Sequence, residues 1–225
     1  MVVNARNPVQ TRERLVTAAV GLILERGYHA TGVEAICEVA GVTKGSFFHH
    51  FANKDELGLA VIRWWSVMGT ALYSEAWEDA TVDPLQQLFA MIDIMEGFAS
   101  RPGQPCVCVI GMIAQEMAAT HPEFRASCAE ELNVWTQNVA ALLGRALELH
   151  RPPVAFDPEE VAWFLNSLWQ GSMLIAKTRE DQGVIIRNLR HIRAYITSLF
   201  PERKVLTEAR SHGGGEDFGS VKICL

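Results

Sequence analysis

Two short amphipathic runs around a glycine-bearing turn constrain this chain more than any other feature of its sequence. The first run covers residues 33–39 and the second residues 43–49, with Ala40-Gly41-Val42 between them. Two short helices joined by a turn of three or four residues form a helix-turn-helix. Gly41 stands where the chain must turn sharply, and glycine adopts a positive φ there without steric cost. The stretch therefore predicts a helix-turn-helix near the N-terminus.

The second run begins with residues that suit contact with a polyanion. Thr43 is a good N-cap, because its hydroxyl accepts a hydrogen bond from a backbone N–H that has no partner within the helix. The first helical turn then offers a cation, a residue without a side chain and a small hydroxyl, in Lys44, Gly45 and Ser46. Such a surface fits against a phosphate backbone and a groove wall. We expect the core of this unit to contain Ile36, Val39, Val42 and Phe51.

The charge of the chain is unevenly distributed along its 225 residues. A net charge of −6 argues against a protein that is coated in nucleic acid along its whole length. Residues 1–54 nevertheless hold six basic side chains against four acidic ones, whereas the rest holds 14 against 22. A mildly basic N-terminal part on an acidic body fits local contact with a polyanion.

Apolar residues recur at helical spacing in every longer segment. The last segment has Ile185, Leu189, Ile192, Ile196 and Leu199 at spacings of four, three, four and three. Such a stripe is suited to packing against another helix. Breaks that contain proline separate the segments, and 49% of the residues are hydrophobic, which allows a sizeable core. The pattern predicts an all-α chain of about nine helices.

The cysteines and the apolar runs bear on where the protein works. The five cysteines are an odd number without a framework spacing, which favours reduced thiols in a cytoplasm. No apolar run approaches the roughly 18 residues that a spanning helix needs, and the N-terminus lacks the apolar stretch of a signal peptide. We therefore expect a cytoplasmic protein that does not bind a membrane.

The segment from Thr11 through Leu57 resembles the TetR family of bacterial transcriptional regulators. The features that match are Gly27-Tyr28, Thr31, Ile36, Ala40-Gly41-Val42, Thr43-Lys44-Gly45-Ser46, Phe48-His49-His50-Phe51 and Lys54-Asp55-Glu56-Leu57. Weaker matches to a subgroup of TetR-type repressors follow at Cys108-Val109-Ile110-Gly111, His121-Pro122-Glu123, Leu168-Trp169-Gln170-Gly171 and Ala176-Lys177.

The resemblance implies a division of the chain and a mode of action. It implies a helix-turn-helix DNA-binding domain over residues 1–53 and a helical domain for effector binding and dimerisation over residues 54–200. We predict a disordered tail over residues 201–225. The family pattern further implies a homodimer on a palindromic double-stranded DNA operator. It also implies repression that is released by a small-molecule effector, with no enzymatic activity and no cofactor.

The resemblance also suggests which residues contact DNA, although these residues would equally suit an ordinary solvent-facing helix. The family usually has a tyrosine where Phe48 stands, and phenylalanine lacks the hydroxyl that contacts phosphate. His49 or His50 would have to replace that contact. The candidate DNA-binding residues are Thr31, Thr43, Lys44, Gly45, Ser46, Phe47, His49, His50 and Lys54.

Aromatic and methionine side chains in the body are candidates for an effector pocket, and together they favour an apolar or aromatic effector of modest size. A stripe of such residues at helical spacing is equally compatible with plain core packing. The candidate pocket residues are Trp64, Trp65, Met68, Phe89, Ile92, Met95, Met112, Met117, Trp135 and Trp169.

Cys106 and Cys108 form a C-x-C pair whose function the sequence leaves open. They are compatible with two small, partly buried packing residues. They are also compatible with a redox or electrophile sensor, for which a helix N-terminus near residue 106 would lower the thiol pKa. A metal site that adds Cys128 or His121 is a third interpretation. A thiol enzyme with Cys108 as nucleophile and His121 as base is a further alternative, although nothing in the sequence orients that pair.

Overall fold

The chain folds into helices connected by short loops. The computed structural model describes residues 8–101 and 106–201. Within these ranges the all-α prediction of about nine helices is confirmed, and the predicted tail from residue 202 lies outside the described residues. In the described part, no helix combines the length and the apolar character that crossing a bilayer requires. The helices are α1 (Pro8–Arg26), α2 (Val33–Ala40), α3 (Lys44–His50), α4 (Lys54–Trp77), α5 (Pro84–Ala99), α6 (Val109–Met117), α7 (Pro122–His150), α8 (Pro158–Arg179) and α9 (Gly183–Leu199).

Local sequence signals set several of the helix boundaries. The Thr43 hydroxyl accepts from the N–H of Ser46 at 3.1 Å, which confirms it as the N-cap of α3. The side chain of Asn53 caps α4, and that of Asp157 caps α8. Gly41 ends α2 with φ of +61°, in the left-handed region that favours glycine.

The buried apolar residues form two clusters. The first, here called the N-terminal core, joins α1, α2, α3 and the start of α4 to α6 and the first turns of α7. The second, here called the body core, joins the end of α4 to α5, α7, α8 and α9. The N-terminal core therefore runs across the predicted domain boundary at residue 53, and α1–α3, here called the N-terminal unit, share their apolar interior with α6 and α7.

The expectation that Val39 would be buried is wrong, because this side chain is 62% exposed. The residues of α2 that face α1 are Ile36, Cys37 and Ala40. Val39 follows Ile36 by three positions and points away from the direction that these three share. The short helix is therefore turned slightly from the orientation that its apolar spacing suggested.

The two leucines Leu143 and Leu149 on α7 provide a matched test of the body core. Leu143 is fully buried, whereas Leu149 is 61% exposed. We expect Leu143→Ala to lower the free energy of unfolding by about 2–5 kcal/mol, because it leaves a cavity in a packed interior. Leu149→Ala should cost no more than about 0.5 kcal/mol. Urea denaturation measures both values, and equal losses would contradict this assignment of the core.

Candidate nucleic-acid interface and effector cleft

The N-terminal end of α3 presents small and polar residues and one cation to solvent. Lys44, Gly45 and His49 are exposed to solvent, and Ser46 and His50 are partly exposed. The helix is only seven residues long, so its position depends on packing against its neighbours. A short helix that presents small and cationic residues at its N-terminal end can approach a DNA backbone closely.

The cation on this face has an intramolecular partner. The ammonium of Lys44 donates to a carboxylate oxygen of Glu34 at 2.5 Å, and both side chains are exposed. This hydrogen bond, reinforced by the opposite charge, lowers the pKa of Glu34. Exposed ion pairs contribute little to stability. A DNA phosphate can therefore take the place of Glu34 at little cost.

The structure buries the side chains of two of the candidate DNA-binding residues, so neither side chain is accessible for a contact with DNA. Phe47 is completely buried in the N-terminal core, where its ring packs against Phe51. Thr31 is also buried, and its hydroxyl donates to the carbonyl of Gly27 at 2.7 Å. The neighbouring Phe48, by contrast, is 56% exposed.

Lys54 and Tyr28 connect the N-terminal unit to α4. The Lys54 ammonium donates to the carbonyl of Tyr28 at 3.1 Å and lies 4.3 Å from the centre of its ring. The Tyr28 hydroxyl donates to Asp55 at 2.6 Å, and its ring packs against Phe124 of α7. Burial, followed by the hydrogen bond to Asp55, raises the pKa of Tyr28. Lys54, a candidate DNA contact, thus already has partners within the protein.

An open cleft of about 440 Å³ lies between α6 and α8. Its walls are mixed: Met112 and Leu174 are apolar, Gln170 is polar, and Lys177 places a cation there. The Lys177 ammonium lies 3.7 Å from the sulfur of Met112. This volume and this lining suit a small apolar or amphipathic molecule.

The structure does not bring the candidate pocket residues together. Only Met112 lines the cleft. The others are large apolar residues at helical spacing, and most of them are core residues. Ile92, Met95 and Trp169 belong to the body core, with Phe89 and Trp135 packed against it. Met117 belongs to the N-terminal core, with Trp64 and Trp65 packed against it, while Met68 is half exposed.

The sequence did not indicate the polar residues of the cleft. Gln170 is one of them, and a Cβ added at Gly111 would lie 2.7 Å from its side-chain oxygen. The resemblance to TetR-type repressors includes the segment Leu168-Trp169-Gln170-Gly171. It does not indicate which of these side chains faces the cleft.

Two buried indoles are unusual features of the body. The Nε1–H groups of Trp77 and Trp135 have no hydrogen-bond partner within the part of the chain that the structure describes. Trp77 stacks on Tyr73 with ring centres 5.0 Å apart. Most buried N–H groups are paired. An acceptor atom on a bound molecule would satisfy either indole.

The lowered thiol pKa that a sensor at Cys106 and Cys108 requires is not found. Burial raises the pKa of Cys106 to about 11, and the nearby Cys108 adds to this effect. Burial also raises the pKa of Cys108, although the N–H of Gly111 and the side chain of Gln170 offset part of the change. Cys108 caps α6, but desolvation of the thiolate outweighs the favourable helix terminus.

The metal and enzyme interpretations of these thiols gain no support from the geometry. Among the described residues, no three His, Cys, Asp or Glu side chains come together in a metal-binding arrangement. The His121 ring interacts with the hydroxyl of Thr120 at 2.8 Å and packs edge-on against Phe124. The contacts of the His121 ring are thus with Thr120 and Phe124.

Comparison with known proteins gives a consistent result. Residues 15–61 match the family model "Bacterial regulatory proteins, tetR family", and residues 84–192 match "Tetracyclin repressor-like, C-terminal domain". The chain is 32% identical over 165 residues to the transcriptional regulator AcuR of Cereibacter sphaeroides, covering 73% of this chain and 75% of that protein. It is 28% identical to the transcriptional repressor DhaR of a Mycobacterium species, covering 87% and 92%. A regulatory protein TetR from Rhodobacter sphaeroides has a similar structure, with a TM-score of 0.75, 29% identity and coverage of 82% and 98%.

The raised thiol pKa values predict slow alkylation. With a pKa of about 11 instead of 9.0, Cys106 has a thiolate fraction at pH 7 that is about a hundredfold lower than that of an ordinary thiol. Allowing for the greater nucleophilicity of a more basic thiolate, we expect alkylation by iodoacetamide at least about tenfold slower than for glutathione. The rate should rise with pH up to about 11. Peptide mass spectrometry measures the rate, and alkylation as fast as that of glutathione at pH 7 would contradict the burial argument.

Proposed function

Because the chain belongs to the TetR family of bacterial transcriptional regulators, we propose that it binds a palindromic operator as a homodimer and represses transcription there. We propose further that a small apolar or aromatic molecule releases it from the operator. The observation that carries this proposal is the exposed face of α3, where Thr43, Lys44 and Gly45 stand on a helix that buried Phe47 anchors. Repression is supported by the relative DhaR, which is described as a repressor.

We assign the DNA contacts to the residues of α3 that remain accessible. Lys44 contacts phosphate, Gly45 allows the backbone to approach, and Ser46 donates a hydrogen bond at the edge of the groove. His49 and His50 follow at the end of α3, next to the exposed ring of Phe48. An imidazole N–H is a hydrogen-bond donor that can replace the missing hydroxyl. This assignment places the DNA-binding unit within residues 1–53.

We assign the dimer contact to α8, which presents large apolar side chains to solvent. Phe164 and Ile175 are 46% and 47% exposed, and Trp163 and Leu174 are similarly exposed beside them. Phe164 also packs edge-on against Tyr195 of α9 at 5.2 Å. Monomeric proteins rarely expose several large apolar side chains together along one helix. A second copy would cover it and hold two α3 helices roughly 34–36 Å apart, one turn of DNA.

We assign the effector to the cleft between α6 and α8, within the proposed body of residues 54–200. Leu174 belongs both to the cleft and to the exposed stripe of α8. Dimerisation would therefore cover part of the open side of the cleft. The effector would then bind close to the dimer contact, where a change of shape can alter the separation of the two DNA-binding units.

The alternative of a redox or electrophile sensor rests on Cys108, because this residue lines the cleft. The raised pKa of its thiol weighs against it. Enzymatic activity is not proposed, because the relatives compared above are transcriptional regulators. As a regulator of bacterial transcription, the protein would work in the cytoplasm, beside the chromosome.

The DNA assignment is tested by the salt dependence of binding. DNA for this test is selected by the wild-type protein from a random-sequence pool. Lys44→Ala should weaken binding to all sequences and reduce the slope of log K against log salt by about one, since one phosphate contact is lost. Lys177→Ala removes the same charge at the cleft and should leave the slope unchanged. A slope that Lys44→Ala does not alter would contradict the phosphate contact.

The dimer assignment is tested by a charge on the α8 stripe. Phe164→Glu combined with Ile175→Glu should yield a monomer and lower affinity for the selected DNA by at least about a hundredfold, because one half-site contact is lost. Leu149→Glu changes an exposed leucine on α7, which is 61% exposed, and should remain dimeric. Light scattering measures the mass, and a dimeric double variant would exclude this face.

A further inference from the structure

Two hydrogen bonds connect the last turn of α6 to the turn between α1 and α2. The carboxylate of Glu116 accepts from the backbone N–H of Tyr28 at 2.9 Å and from that of His29 at 2.7 Å. Gly27 precedes this turn with φ of +89°, and a Cβ added there would lie 2.5 Å from the carboxylate. The close approach of Glu116 therefore depends on glycine at position 27.

Glu116 also borders the cleft between α6 and α8. Gly111, Met112 and Gln115 line the same cleft from the same helix. Helix α6 thus lines the cleft along its length, and its last turn contacts the N-terminal unit. A rigid helix of nine residues that is displaced at the cleft must move at its end as well.

The turn that Glu116 holds is itself fastened to α4. The Tyr28 carbonyl accepts from Lys54, and its hydroxyl donates to Asp55. Gly58 makes the contact close, because a Cβ there would lie 2.7 Å from the Tyr28 ring. A shift of the N–H groups at residues 28 and 29 therefore changes the contact between the N-terminal unit and the first turns of α4.

We propose that Glu116 is the positioning residue through which the cleft controls the N-terminal unit. The inference rests on the proposed function, and it names the residue that couples the effector site to DNA binding. The main role of Glu116 is to hold the turn between α1 and α2 in position, and not to bind the effector or DNA. Its two hydrogen bonds connect α6 to the turn between α1 and α2, so that α6 and α1–α3 move together.

The test is a double-mutant cycle that needs no known effector. Glu116→Gln removes one of the two acceptors, and Glu130→Gln is the control, because Glu130 is an exposed glutamate on α7. Gly111→Leu places a bulky side chain between α6 and α8, where a Cβ already meets the side-chain oxygen of Gln170 at 2.7 Å. Gly111→Ala, to which the flexible Gln170 side chain can adjust, is the milder variant if the larger one fails to fold. Gly97→Leu is its control, because a Cβ at Gly97 meets nothing within 4 Å.

The first readout is amide hydrogen exchange at residues 28 and 29. Glu116→Gln should accelerate it by about tenfold or more, because hydrogen bonds to a charged acceptor are lost. The variant at Gly111 should accelerate it in the presence of Glu116 and add clearly less in the Glu116→Gln background, where one of the two acceptors is missing. Additive effects of the two substitutions on exchange would overturn the inference.

The second readout is affinity for the DNA that the wild-type protein selects. Glu116→Gln should weaken it by about fivefold or more without altering the salt slope, because no phosphate contact is lost. Glu130→Gln and Gly97→Leu should bind as the wild type does. Unchanged DNA affinity of Glu116→Gln would overturn the inference. If the wild type selects no DNA, the proposed function fails instead, and the exchange cycle alone decides whether Glu116 couples α6 to the turn.

Discussion

The buried side chain of Tyr28 is the contact on which the arrangement of the N-terminal unit depends. It follows the glycine that ends α1, and its ring, hydroxyl and backbone contact α4, α6 and α7. A phenol is protonated at physiological pH and can donate to Asp55 there, and burial raises the pKa of this hydroxyl further. Tyr28, in the turn between α1 and α2, therefore fixes the position of α1–α3 against α4, α6 and α7.

Local features of the fold were predictable because their causes lie within a few residues. The caps at Thr43, Asn53 and Asp157 each use a side chain and an N–H two or three residues further on. The sequence does not indicate which of the two adjacent aromatic residues, Phe47 or Phe48, is buried. Phe47 points into the core and Phe48 into solvent, and their order depends on how α3 is rotated against α1 and α2.

Contacts between distant segments were not predictable from the spacing of residues. Glu116 lies 88 residues from Tyr28, and nothing in the sequence pairs them. The cleft was missed for a similar reason, because an aromatic or methionine residue at helical spacing is selected equally by a core and by a pocket. The direction of the thiol pKa shifts depends on whether burial or the nearby helix N-terminus has the larger effect. The sequence predicts a helix N-terminus near residue 106, close to the observed N-cap at Cys108, but not the degree of burial of the thiol, which decides the direction of the pKa shift.

The central claim of this account is that the N-terminal unit and α6 share one core and therefore open together. Native-state hydrogen exchange in increasing urea measures this directly at Ile23 of α1 and Ile113 of α6, which are both almost completely buried. The account predicts that the two amides exchange through the same opening, with equal free energies and equal dependence on urea. Exchange of Ile23 through a separate opening of lower free energy, with Ile113 still protected, would contradict it.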